Sequence, residues 1–221
     1  MRATITRSRG TVIAAVLACA APARADDVTA LIKGAPACDA KRAHCFGIAV
    51  HVPIVDGKPI ATKEWLAAQL SEANRHFAAI DVAWQFVSSG PLPASAARVA
   101  DVPARNSFAP AATGPVMHVF VTGQLDDIDE AGKVIRGVTW RPGGKAYVIL
   151  STVSRGPVLA HELGHVFGLP HSTYAISIMN KTDRKEPPLD QRTFHEDEVA
   201  IMKKTRDRLV ADRALVSPPP P

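Results

Sequence analysis

His161-Glu162-Leu163-Gly164-His165-Val166-Phe167-Gly168-Leu169-Pro170-His171 is the stretch on which the reading of this 221-residue chain turns. On a helix, His161 and His165 lie one turn apart on one face, so both imidazoles can reach a single metal ion. The helix must then stop. Gly168 can take the left-handed conformation that ends a helix, and Pro170 prevents its resumption. The chain can therefore turn back under the metal and supply His171 as a third ligand. Three protein ligands with one position left open for water characterise a catalytic zinc, whereas structural zinc is closed by four.

Glu162 follows the first ligand directly and sits close enough to reach a metal-activated water without ligating. Zinc lowers the pKa of such a water toward ~7. A carboxylate beside it can take the proton and pass it to a leaving amine. A helix with chance histidines and a surface glutamate would not place a start at Pro157 and a stop at Gly168 around them. The expected ligands are thus His161, His165 and His171, with Glu162 as general base.

The segment resembles the metzincin signature of zinc peptidases, in which three histidines bind zinc, the glutamate is the base and the glycine makes the turn. That family also has a methionine in a tight turn below the metal, and Ser177-Ile178-Met179-Asn180 is similar to it, which assigns Met179 to that turn. Leu169, the His171-Ser172 pair and the short connection to Met179 are similar to the matrixin branch. So is Asp197-Glu198-Val199, which resembles the acidic pair opening the last matrixin helix, with Glu as the second acid. The resemblance implies one α/β domain with a twisted, mostly parallel sheet, an antiparallel edge strand and a zinc-binding helix. The chain departs from the branch in lacking its latency motif and evident structural zinc or calcium sites. Lys181 stands where astacins and serralysins carry an extra tyrosine.

Working outward, residues 46–55 read as a strand with Ile48, Val50, Val52 and Ile54 on one face and His51 on the other. Thr62 can cap a helix whose apolar stripe is Leu66, Leu70, Ala73, Phe77 and Ile80. Residues 81–88 and 116–122 are further strands, separated by an Ala- and Pro-rich stretch, 91–115, that reads as a long surface loop. Asp126, Asp127, Asp129 and Glu130 lack the order of a calcium loop and read as a solvated turn. Residues 134–140 and 145–151 are two strands joined by Arg141-Pro142-Gly143-Gly144. The first is the expected edge, where an extended peptide substrate could pair. His118 reads as a packed strand histidine. Thr193 with Glu196 three residues on suggests a capping box for a last helix with inner face Val199, Met202 and Leu209.

At the start of the chain, residues 1–10 carry Arg2, Arg7 and Arg9 with no acid, and 11–21 are almost wholly apolar. This is a secretory signal, too short to span a bilayer, with cleavage expected after Ala25. Cys19 in Val16-Leu17-Ala18-Cys19 offers lipid attachment as a minor alternative. Removing 1–25 takes four arginines and no acid, so 26 bases become 22 against 21 acids. The basic balance therefore belongs largely to the leader and gives no nucleic-acid footprint. No later apolar run is long enough for a transmembrane anchor.

Cys38 and Cys45 are then the only remaining cysteines, and in an exported chain they are most simply one disulfide. An alternative is that Cys38 ligates zinc and holds the enzyme latent, as a propeptide cysteine does in matrixins. The expected organisation is a signal peptide at 1–25, an N-terminal segment at 26–45, a catalytic domain at 46–212 and a Pro-rich tail at 213–221. The expected product is secreted or periplasmic and acts on extended polypeptide, with inhibitor and oligomer partners undefined. Two alternatives stay open: a catalytically silent zinc-fold binding protein, and a zinc hydrolase of a non-peptide amide such as a cell-wall crosslink. Asn180, Lys181, Thr182 and Arg184 follow the methionine. In metzincins this segment walls the pocket for the side chain after the cut, so either cation pointing inward would let acidic or polar side chains be tolerated there, whereas cations reaching out to solvent would leave an ordinary apolar pocket.

Overall fold

His44–Val55, apolar at nearly every position, is buried along most of its length and lies inside a sheet. The computed structural model describes residues 25–218, so residues 1–24 of the expected signal peptide, Cys19 among them, and the end of the tail lie outside the described residues. In chain order the elements are α1 (Ala25–Ile32), β1 (His44–Val55), β2 (Lys58–Pro59), α2 (Lys63–Phe77), β3 (Val82–Leu92), β4 (Arg98–Val99) and α3 (Val102–Asn106). Then come β5 (Met117–Thr122), β6 (Gln124–Leu125), β7 (Gly137–Trp140), β8 (Tyr147–Ser151), α4 (Val158–Val166) and α5 (Glu196–Ala211).

β1 pairs in parallel with β3 on one side and β5 on the other, and β5 pairs in parallel with β8. β7 then closes the sheet antiparallel to β8, with Val138 opposite Ile149 and Thr139 opposite Val148. Two-residue β2 also pairs antiparallel, with the end of β1, so the sheet is mostly parallel, as the metzincin resemblance implies, and β7 is the antiparallel edge expected within 134–140.

One face of the sheet is covered by α2, α4 and α5. Thr62 caps α2 as expected, its Oγ1 accepting from the Trp65 amide at 3.2 Å. Leu66, Leu70, Ala73 and Phe77 then turn inward and are buried. Phe77 meets Trp84 and Phe167 edge-on, at centroid distances of 5.4 and 5.1 Å, so α2, β3 and the end of α4 share one aromatic knot. Burying each such side chain contributes roughly 1.5–3 kcal/mol. The knot therefore fixes the zinc-site helix against the sheet.

The other face overturns an expectation. Residues 91–115 are not a surface loop: they hold the end of β3, short helical turns, β4 and α3. Ala96, Val99, Phe108 and Ala112 bury against Phe120, Tyr147 and Ile149, and Phe108 stacks on Phe120 at 4.6 Å. The Tyr147 hydroxyl donates to the Arg105 carbonyl at 2.6 Å, which ties α3 down. Apolar residues scattered without period, interrupted by proline, concealed this layer.

A second correction concerns α5. His195 is its N-cap, with Glu198 three residues on completing the capping box, and Thr193 does not cap. The Thr193 backbone is committed elsewhere, its N–H donating to Ile176 O and its carbonyl accepting from Ile178 N, both at 3.0 Å. Pro157 likewise stands at the N-cap of α4 rather than inside it. Cys38 and Cys45 form a disulfide, so Cys38 offers no thiolate. Among the described residues no helix is long and apolar enough to cross a membrane.

Candidate metal centre

α4 presents His161 and His165 on one face, and Gly168, at φ +91°, turns the chain back so that His171 arrives beside them. The three side chains each offer a ligand atom, all within 4.8 Å of one another. Two of the rings are oriented by backbone carbonyls. His161 Nδ1 lies 2.7 Å from Ile178 O, and His165 Nδ1 lies 2.7 Å from Leu169 O. A carbonyl can only accept, so each Nδ1 carries the proton and each Nε2 keeps a free lone pair. Burial lowers the pKa of all three histidines, that of His161 to about 4, which keeps them neutral as ligands must be. The donor set therefore fits zinc: three imidazoles, already in the ligating state.

The turn through Met179 lies directly beneath. A Cβ placed on Gly164 would come within 2.7 Å of Met179 Sδ, so only glycine lets the helix rest on the thioether. Met179 itself is wholly buried. The turn is braced by buried Glu198, which accepts from Ser177 Oγ at 2.7 and 2.8 Å and from the His195 amide at 2.8 Å. Ser177 Oγ in turn accepts from the Met179 amide at 2.9 Å. The acidic pair read as Asp197-Glu198 thus contributes through Glu198, which joins the first turn of α5 to the floor of the site.

Glu162 is buried, with 5% of its surface exposed, and points toward β7. Burial raises its pKa to about 7, against the opposing effect of a hydrogen bond from Thr139. Such a carboxyl is poised to accept and release a proton near neutrality. A Cβ on Gly137 would lie 3.0 Å from Glu162 Cγ, so a side chain at this point of the edge strand would crowd the carboxyl. An open cleft of about 1260 Å³ runs along β7 past His161, Glu162, His165 and His171, continuing to Lys181 and Thr182.

Two residues of this site were not singled out in the sequence. Thr139 contacts Glu162 across 23 residues, and Arg141 Nη2 donates to His165 O at 2.9 Å, closing the C-terminal end of α4. Their only sequence signal is position, Thr139 on the predicted edge strand and Arg141 just past it. Arg184, one of the two cations weighed for the pocket, is committed to the loop itself. Its guanidinium donates to the carbonyls of Ala175, Ser177, Asn180 and Thr182, at 2.6–3.0 Å, and so clamps the loop after Met179. Lys181 is the cation of that pair that lines the cleft. His118 packs in the sheet, 3.0 Å from His51, away from the centre.

Comparison with known proteins places these features in a family. The family model described as Matrixin matches residues 67–204, which include most of α2, the whole sheet edge, the three histidines and the start of α5. Among solved structures, metalloproteinase-II from Bacteroides fragilis is similar in fold, with a TM-score of 0.52 at 14% identity over 80% of this chain. The present chain spans 60% of that protein's length. A zinc-dependent peptidase from Methanocorpusculum labreanum matches more distantly, with a TM-score of 0.40 and 15% identity over 71% of this chain and all of its own. No curated protein matches the sequence.

Proposed function

Because the chain belongs to the matrixin family of zinc metallopeptidases, we propose that it is an exported endopeptidase that hydrolyses extended polypeptides, with His161, His165 and His171 as zinc ligands and Glu162 as general base. The observation that carries this reading is the placement of a buried carboxyl between a three-histidine centre and an antiparallel sheet edge. A zinc ion held by His161, His165 and His171 would supply Lewis acidity to polarise a carbonyl and activate a water.

The chain's own residues supply the rest. The exposed side of β7 offers unpaired backbone groups to which a substrate strand can add, aligning its peptide bonds with the cleft. Glu162 takes the proton of the attacking water and delivers it to the departing amine, two transfers for which a buried carboxyl next to the three histidines is placed. Thr139 positions that carboxyl. A pure binding site would need the three ligands and would have no use for the buried base, which favours an enzyme over a silent zinc-fold protein.

Export rests on the N-terminal sequence, with its basic start, apolar run and Ala23-Arg24-Ala25 processing site. The Cys38–Cys45 disulfide suits an oxidising compartment. The test is cleavage profiling of the purified protein on a random peptide library, with and without a chelator. Cuts at internal peptide bonds that vanish with chelator and return with zinc are expected. Absence of any internal cleavage in the zinc-loaded protein would refute the reading.

A further inference from the structure

Next to the cleft, past the end of β7, lies a second open cavity of about 730 Å³, bordered by the C-terminal ends of α4 and α5 and the starts of β5 and β8. Val166 and Leu209 give it an apolar floor. Its rim carries Arg141, Lys145, Arg208 and Arg213, and no carboxylate is among its lining residues. Two of the cations are partly engaged: Lys145 Nζ donates to Gly114 O at 2.6 Å, and Arg141 Nη2 to His165 O. The side chains of Arg208 and Arg213 have no hydrogen bond or ion pair among the described residues. Burial, and after it the nearby charge of Arg208, holds the Arg141 guanidinium below its ordinary range, so these cations already strain against one another. Like charges gathered round an apolar floor are an unfavourable arrangement that an incoming anion relieves.

The cavity adjoins the metal cleft: Arg141 and Gly168 line both. Thr139 marks the level of Glu162 along β7, and Arg141 follows two residues later. A strand added to β7 advances about 7 Å over that interval. A substrate chain passing Glu162 along β7 therefore reaches Arg141, at the edge of the cationic cavity, within about two residues. An isolated small anion would leave the apolar floor uncovered, whereas a peptide segment covers both.

We propose that this cavity is a subsite for an acidic side chain of the polypeptide substrate, taken together with an apolar neighbour, about two to four residues from the cut bond. The identity of the ligand as substrate rests on the peptidase reading above, while the binding preference stands on the cavity itself. Arg208 and Arg213 are the specificity determinants. Both are exposed and lie outside the catalytic machinery, so their replacement leaves the fold and the metal centre intact.

The test uses a random peptide library displayed on phage and selected on the immobilised full chain carrying Glu162→Gln, so that bound peptides are not consumed. Asp and Glu should be enriched roughly fivefold or more over the input at one position, beside an apolar residue, and the enrichment should weaken with added salt. On the same chain with Arg208→Ala and Arg213→Ala added, the enrichment should fall to the input level while thermal unfolding is unchanged. A flat acid frequency, or an enrichment that the added substitutions leave intact, overturns the proposal. Should the parent chain fail to cut the selected peptides while the enrichment and its loss both hold, the acidic subsite stands and the peptidase reading falls.

Discussion

Thr139 meets Glu162 at two points: its Oγ1 lies 2.6 Å from the Glu162 carbonyl oxygen and 3.0 Å from Oε2. One hydroxyl proton cannot serve both at once. When it is donated to the carbonyl, the hydroxyl can accept from the protonated carboxyl; when the carboxyl is ionised, the same proton can turn toward it. Strand β7 and helix α4 are thus joined through this one side chain.

Replacing Thr139 by Val keeps the shape of the side chain and removes the hydroxyl. The variant should retain zinc and lose roughly tenfold or more in kcat, the scale found when partners of metal-site groups are removed. KM should change little, because the backbone of β7 is untouched. Thr139→Ser should restore most of the rate. Steady-state kinetics of the pair decide it: a loss confined to KM would make Thr139 a substrate contact instead.

Arg184 should behave as a structural residue and Lys181 as a cleft residue. Removing a half-buried guanidinium with four carbonyl acceptors in Arg184→Ala should cost about 2 kcal/mol or more, read from urea unfolding. Lys181→Ala should leave stability unchanged and alter only the side-chain preference after the cut. A stable Arg184→Ala protein with changed preference would reinstate the charged-pocket expectation.

The split between what was legible and what was not follows the range of the interactions. The zinc helix, its stop at Gly168 and the return to His171 were readable because spacing, helix termination and ligand chemistry all act within eleven residues. β7 was readable as a strand, and its place at the edge followed from the family resemblance. Thr139 and Arg141 were not, since what gives them their roles is contact with residues 23 to 25 positions away. The layer formed by Ala96, Val99, Phe108 and Ala112 escaped for another reason: short turns bury residues without repeating at 2 or 3.6. The cap of α5 was misplaced by two residues because the backbone bridge between Thr193 and Ser177 is a tertiary event.

Acid should weaken the fold through histidines remote from the metal. His118 Nε2 donates to Thr113 O at 2.7 Å, which leaves its Nδ1 to accept from His51 Nε2, so the pair is hydrogen-bonded in its neutral form. Burial, then His118, lowers His51 to about 4, and burial with the adjacent Arg75 lowers His76 to about 4. In the unfolded chain these groups titrate near 6.5. Between those values the unfolded state binds more protons, so this stability is whole above pH 6.5 and is lost as pH falls toward 4. Urea midpoints should decline across that window, less steeply in His51→Gln than in the parent. Equal slopes for the two proteins would contradict the assignment.

Glu162→Gln and His171→Ala separate the base from the ligands. Glutamine keeps the volume of Glu162 and can still pair with the Thr139 hydroxyl, while His161, His165 and His171 are untouched. That variant should fold and hold zinc as the parent does, yet its hydrolysis rate should fall by roughly 10²- to 10⁴-fold, the usual worth of one positioned proton-transfer group. The loss should appear at saturating substrate, because what is removed acts in the transition state and not in binding. His171→Ala removes a ligand, so it should lose zinc affinity and activity together and unfold at lower temperature. Metal analysis, calorimetry and turnover on one peptide read all three properties in each protein. If Glu162→Gln cuts as fast as the parent with zinc in place, the proton passes through some other group, and the buried carboxyl beside β7 must be explained as part of the fold.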